Sequence, residues 1–499
     1  MPPQALAVMA TLVSFAAHGN RIEMTLDRGS AELVWISATS FHFRRSLDGP
    51  LGPALGPDRP PEPVTVQVDD TPGTVHIRSK YLDAAILKHG LLVKVSGPNG
   101  APLMADLSEP QKSDTGVLWE REARPGVRFY GLGALPDLEL DLRGKSILAL
   151  DPFLISTAGY SEEYPGPGPF HFDFTAPDRY RIQIPTVDYY FAYGPTPKDI
   201  SKQRKPNVTI GPIGSLQYPA TWDGLRQDLL EAVHQAMSTP IPRPFSLTAY
   251  ANAPEELKTR ARQFGSLLPG VAPGAVGTAP FRKQLTSFFD IYEIETRDHA
   301  HPLWHALPWQ FPDDPECAHH ADEFMLGDEL LIAPIYESGA RRQVYLPQGA
   351  WTSLESNAEF PGRHTVGVDT KALPVFARNG TIVPLDSDAG MGLHYFPKLG
   401  GEFFILEKDI GEYTQVHAAP AADIMRLEIE SKKDRDYQWV VHHVERPTDV
   451  GFEEEKYYPV TALKALANRT WFYDAAQKNL IVKVRVKAGE DNIINLSWE

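Results

Sequence analysis

The chain has 499 residues, a length that at roughly 100–200 residues per domain implies about three domains and excludes a single compact core. Hydrophobic residues make up 42% and charged residues 22%, so disorder is excluded as a global state. With 48 Lys and Arg against 64 Asp and Glu the net charge is −16; no local basic patch offsets it, which argues against nucleic acid or an anionic membrane surface as partner. Cys317 is the single cysteine, so internal disulfides and Cys-built zinc or iron–sulfur sites are excluded.

In chain order, residues 5–17 are largely apolar and read either as the core of a signal peptide or as a first strand. No Lys or Arg precedes them, and Thr11, Val13 and Phe15 lead into an alternating run from Arg21 to Leu26. The strand reading is preferred, and with it a cytoplasmic location slightly over secretion. No other stretch approaches the ~18 apolar residues of a membrane span.

Alternation then predicts strands over 31–36, 64–68, 75–78 and 91–95, punctuated by Asp48–Gly49, by 70–74 and by Gly97–Gly100, which together make an antiparallel sandwich. The period changes after residue 222. Leu225, Leu229, Leu230, Val233 and Ala236 fall at helical spacing, and 255–268 and 281–294 are likewise written as helices. Strands return at 343–346 and 365–368, and the chain closes on strands over 480–486 and 493–496.

Several segments resemble glycoside hydrolase family 31, the α-glucosidases and α-xylosidases, in that family's order. Phe129–Tyr130–Gly131–Leu132–Gly133 resembles the signature of its amino-terminal sandwich, and Val187–Asp188–Tyr189–Tyr190–Phe191 the exit from it. Phe311–Pro312–Asp313–Asp314–Pro315 with Phe324–Met325–Leu326–Gly327–Asp328–Glu329 resembles the end of its barrel, and Pro374–Val375–Phe376–Ala377–Arg378–Asn379–Gly380 its proximal carboxy-terminal sheet. The resemblance covers about half of the chain.

It implies a multidomain, mainly β protein with an α/β part: an N-terminal β-sandwich over 1–198, a (β/α) barrel over 199–335, and two C-terminal β domains over 336–401 and 402–499. Only 137 residues are left for the barrel, where a complete one takes about 250. The expectation is a truncated barrel of about three or four βα units, whose open sheet edges a second chain would cover, a homodimer being the simplest form.

Retaining glycosidases use two carboxylates about 5–5.5 Å apart. The resemblance supplies both as aspartates, the nucleophile within Trp-x-Asp-Met-Asn-Glu; here no Met follows an Asp and no Trp is followed two residues later by Asp. Where the acid/base Asp belongs, the chain reads Gly214–Ser215–Leu216–Gln217, without a carboxylate. The reading is a pseudoenzyme-like relative that binds a carbohydrate, another small molecule or a partner. Its rivals are an enzyme with a repurposed cleft, and an α-glycosidase that uses Asp151, Glu162 or Glu163.

By resemblance Asp151 contacts the sugar, although an Asp before Pro152 equally caps a turn. Tyr160 and Trp222 are further ligand-contact candidates, and Trp222 equally suits packing at a helix start. Asp223 suits the positive end of that helix. His299, His301 and His305, with His319 and His320, read as structural or surface residues, since Pro302 interrupts the helical spacing; no metal and no cofactor is implied.

Overall fold

The computed structural model describes residues 9–56, 59–203, 218–239, 245–268, 279–387 and 390–498. The described residues are mainly strand, and the chain divides into two compact units, one of residues 1–209 with 234–239, the other of 210–233 with 240–499.

In the first unit, alternation does what the sequence predicts. Strand Arg21–Leu26 buries every second residue, as does Arg179–Ile184, so each sheet has one apolar face. Leu12–His18 is the edge strand of an eight-stranded antiparallel sheet, paired with Arg21–Leu26. This is the strand expected at 11–15; residues 1–8 lie outside the described residues. Two five-stranded antiparallel sheets complete the unit. Leu33 and Phe191 from the first sheet, Trp119 and Tyr180 from the second, and Ile77 and Ile86 from the third meet in one apolar cluster. The strand expected over 64–68 is displaced to Gln67–Asp70, because its register is set by pairing with Thr74–Arg78 across the 70–74 turn.

A polar knot sits in this apolar interior. Arg121 and Glu162 are fully buried and form an ion pair, and Arg121 Nε also donates to Asp106 at 2.9 Å. The Tyr164 hydroxyl donates to Glu162 at 2.9 Å and that of Tyr180 at 3.3 Å. Such a group is stable in a dry core only because its charges are paired and hydrogen-bonded.

His234 also belongs to this unit, 1% exposed, with its Nε2–H donating to the Asp137 carbonyl at 2.8 Å. Burial pulls its pKa from 6.5 down to about 4. Between those values the unfolded chain takes up a proton that the folded chain refuses, so this contribution to stability falls as pH drops below 6.5. His234→Gln is therefore expected to lose about 2 kcal/mol less stability than the wild type between pH 6.5 and 5, read from urea midpoints. Parallel profiles for the two proteins would contradict this assignment.

In the second unit the helices fall close to the predicted places: Trp222–Ala236, whose last three residues are grouped with the first unit, and Glu255–Gly265. The single helix expected over 281–294 is two. Pro280–Gln284 and Thr286–His299 are separated at Leu285, whose backbone leaves helical geometry (φ −94°, ψ 21°) while its side chain is fully buried. Tertiary packing of Leu285 overrides helical continuity there.

Among the described residues of 199–335 the strands are Trp304–Ala306, Phe324–Leu326 and Leu330–Ile332. They pair antiparallel in one sheet with Val375–Arg378, running through the boundary expected at 335–336. No parallel pair occurs among the described residues of this segment, so the expected βα units have no described strand behind them. The edge-covering argument for a homodimer loses the same support. The boundary expected at 401–402 is crossed as well, since Gly390–Tyr395 pairs in parallel with Arg435–Val441. Among the described residues no helix is long and apolar enough to cross a membrane.

Candidate functional site

The loop that carries Asp151 is held by an unusual stretch of backbone. Gly131, Leu132 and Gly133 have φ of +103°, +63° and +100°, three successive residues in a region that L side chains avoid. A Cβ on Gly131 would stand 2.3 Å from the Phe153 carbonyl oxygen, and one on Gly133 would stand 3.2 Å from the Asp151 nitrogen. The glycines of the Phe129–Gly133 motif thus let the 150–153 segment pass directly against them. Leu132 accepts its strained backbone with its side chain buried and its N–H donated to Phe153 at 2.9 Å. The Gly133 N–H donates to the Ser238 hydroxyl at 2.9 Å.

Asp151 itself is half-buried, and its backbone carbonyl accepts the Phe153 N–H at 2.8 Å. Leu148 and Leu150 beside it are 63% and 65% exposed. Tyr160 corrects an expectation. It is 2% exposed, its ring stacks on Phe191 at 5.3 Å, and its hydroxyl lies 3.4 Å from that of Tyr180. The first three residues of strand Tyr160–Glu163 are all buried, so this ring has no free face for a sugar.

The two glutamates considered as substitute catalysts are also placed. Glu162 is locked in the Arg121 knot, and Glu163 receives Arg59 Nη2 at 2.8 Å. Arg59 also lies over the Tyr190 ring at 4.1 Å. Beside this pair is a cavity of about 300 Å³, lined among others by Phe153, Ser161, Glu163, Tyr81 and Gln203. Phe153, Ser161 and Glu163 come from the stretch that follows Asp151.

In the second unit Trp222 is half-buried at the head of helix Trp222–Ala236. The Thr221 hydroxyl caps this helix by accepting the Gly224 N–H at 3.0 Å. Asp223 is exposed and accepts from Gln227 at 2.9 Å, a first-turn carboxylate in the place the helix dipole favours.

Asp228, two turns along, is a titratable group that motif reading missed. It is 2% exposed, accepts the Tyr250 hydroxyl at 3.1 Å through Oδ2, and has no hydrogen-bond partner on Oδ1. Burial pushes its carboxyl up to about 7, where a group can hold or release a proton near neutrality. The available signal was its position three residues after Leu225, on the apolar stripe.

His299 pairs with Glu295 at 3.0 Å, His301 with Asp328 at 3.0 Å, and His305 lies fully buried with its Nδ1–H on the Pro302 carbonyl. The Gly214–Gln217 segment, at the place of the acid/base aspartate, lies outside the described residues.

Comparison with known proteins converges on the family already resembled. Residues 300–383 match the model of the glycosyl hydrolase family 31 C-terminal domain. Alpha-glucosidase 2 of Bacillus thermoamyloliquefaciens is 26% identical over 300 residues, covering 48% of this chain and 37% of that protein. An alpha-glucosidase of Saccharolobus solfataricus is 36% identical over 95 residues, 19% of this chain and 14% of the relative. The chain thus spans well under half the length of these two relatives.

Among solved structures, a Flavobacterium johnsoniae family 31 dextranase complexed with isomaltotriose superposes with a TM-score of 0.81 at 15% identity, over 98% of this chain and 100% of that one. The cycloalternan-forming enzyme of Listeria monocytogenes, in complex with a pentasaccharide substrate, gives 0.80 at 13% identity, over 98% of this chain and 77% of that one. At these identities the likeness is one of fold. The segments quoted from the sequence, the domain match and the shared fold agree: residues 300–383 are a glycoside hydrolase family 31 C-terminal domain, and the chain has the fold of that family's solved structures.

Proposed function

We propose that this chain binds a carbohydrate, an α-linked glucan by the kinship of its relatives, without hydrolysing it by the family's two-aspartate mechanism. The observation that carries the reading is the fate of the substitute carboxylates. The sequence holds no Trp-x-Asp-Met pattern, and of the three candidates to replace it Glu162 is sealed in the core against Arg121 while Glu163 is tied to Arg59. A nucleophile must reach the anomeric carbon with an unshared oxygen, and Glu162 is 0% exposed. Isomaltotriose in the dextranase structure and the pentasaccharide in the Listeria enzyme support a glucan as ligand class. Asp151 in the first unit is the side chain proposed to touch it, and Trp222 in the second unit is a separate candidate contact.

Aryl α-glucosides and α-xylosides are expected to show no release above background with the purified chain. Turnover on the order of 1–10³ per second would overturn the reading and return attention to Asp151 or to a repurposed cleft. In calorimetric titration with isomaltotriose, Asp151→Ala and Trp222→Ala are each expected to weaken binding about tenfold, the worth of one good polar or stacking contact. Unchanged affinity in both variants would remove these contacts from the proposal.

A further inference from the structure

We propose that His320, Asp322 and Glu323 form a binding site for one divalent cation of the zinc class. His320 closes the short turn Pro315–His319, and Asp322 and Glu323 lead directly into strand Phe324–Leu326. The fold therefore brings one imidazole and two carboxylates together within four residues of chain. Each offers one ligand atom, and these atoms all lie within 4.8 Å of one another, so that small side-chain shifts would bring them onto a single ion at zinc–ligand distances of about 2.0–2.2 Å.

The hydrogen bonding around the group is one-sided. Arg342 Nη2 donates to Asp322 Oδ2 at 2.9 Å and to Glu323 Oε1 at 3.3 Å. The Tyr336 hydroxyl donates to the same Asp322 oxygen at 2.7 Å, and the Tyr345 N–H to the same Glu323 oxygen at 2.9 Å. Every donor thus falls on one oxygen of each carboxylate. Asp322 Oδ1, Glu323 Oε2 and His320 Nε2 are buried without a hydrogen-bond partner. Glu323 is 1% exposed, so no bulk water serves its second oxygen. His320 Nε2 is 3.4 Å from Glu316 Oε1, an ion-pair distance without hydrogen-bond geometry. Its ring is held flat against Tyr345, with centroids 4.8 Å apart and planes 2° apart.

Charge points the same way: one guanidinium faces two buried carboxylates, leaving one negative charge for a cation to balance. The donor set of one nitrogen and two oxygens suits zinc and its borderline neighbours, with a fourth position for water, whereas calcium takes six to eight oxygens. A cation here would tie the 315–323 turn to strand Arg341–Leu346, which carries Arg342 and Tyr345. The site does not depend on the carbohydrate reading.

The test is titration of the full, chelator-treated chain with zinc chloride in a calorimeter. One site per chain with a Kd of about 1 µM or tighter is expected, and His320→Ala and Glu323→Gln should each weaken it at least about tenfold. His320 is partly exposed, so its truncation leaves the fold intact by circular dichroism even where Glu323→Gln perturbs the core. Absence of zinc binding, wild-type affinity in both variants, or calcium bound more tightly than zinc would each overturn the assignment.

Discussion

Arg121→Met is expected to lower the unfolding free energy by about 3–5 kcal/mol, well above the roughly 1 kcal/mol of an average substitution. The guanidinium is fully buried beneath Tyr189, whose ring centroid is 4.6 Å away, and it is the cation of both Asp106 and Glu162. Methionine fills much of the same volume, so cavity formation is a minor part of the loss. The larger part is two carboxylates left without their cation in an apolar interior, where an unpaired charge is far less tolerable than at the surface. An exposed pair such as Arg179–Glu120, with Arg179 42% exposed, is by contrast worth about 0–1 kcal/mol.

Urea unfolding followed by circular dichroism measures the difference. The double variant Arg121→Met with Glu162→Gln should recover part of the loss, because it removes one of the stranded charges along with the cation. A single-variant loss below about 1 kcal/mol would show that the knot is not a closed, charge-paired group.

Asp228→Asn is expected to act in the opposite direction and to do so in a pH-dependent way. The folded-state pKa of Asp228 is raised by burial from 3.8 to about 7, so the folded chain holds a proton that the unfolded chain has released. Ionising the carboxyl in place is unfavourable, and stability contributed by this group is lost as pH rises through that window. Asparagine carries no charge at any pH and keeps an acceptor for the Tyr250 hydroxyl. Relative to wild type, the variant should therefore gain about 3–4 kcal/mol between pH 4 and pH 8. A difference between the two proteins that does not change with pH would show that Asp228 is ionised throughout.

Much of the architecture was legible in the order of residues. Strand alternation in 21–26 and 75–78, the apolar helical spacing from Leu225 to Ala236 and the final strands Asn479–Val486 and Asp491–Ser497 follow from periodicity, because one face of each element must leave water. The family likeness was legible for another reason: close backbone approaches admit few residues. Gly131 and Gly133 are required where 150–153 crosses them, and that demand shows in the residue order as a motif.

Where partners come from distant segments, sequence reading had no purchase. Tyr160 and Glu162 stand in a stretch rich in aromatic and acidic residues that reads as a sugar-binding loop, yet Phe191, Tyr180 and Arg121 claim them for the core. The ionisation of Asp228 and Glu323 was equally hidden, because a carboxyl's pKa depends on how completely other elements exclude water from it and on which donors they supply. Composition and periodicity determined the β-rich multidomain class, and the quoted motifs carried the resemblance to the family. Only tertiary structure decided which carboxylates are buried against a cation, which keep an unshared oxygen, and which aromatic faces remain free, since these depend on contacts between residues far apart in the chain.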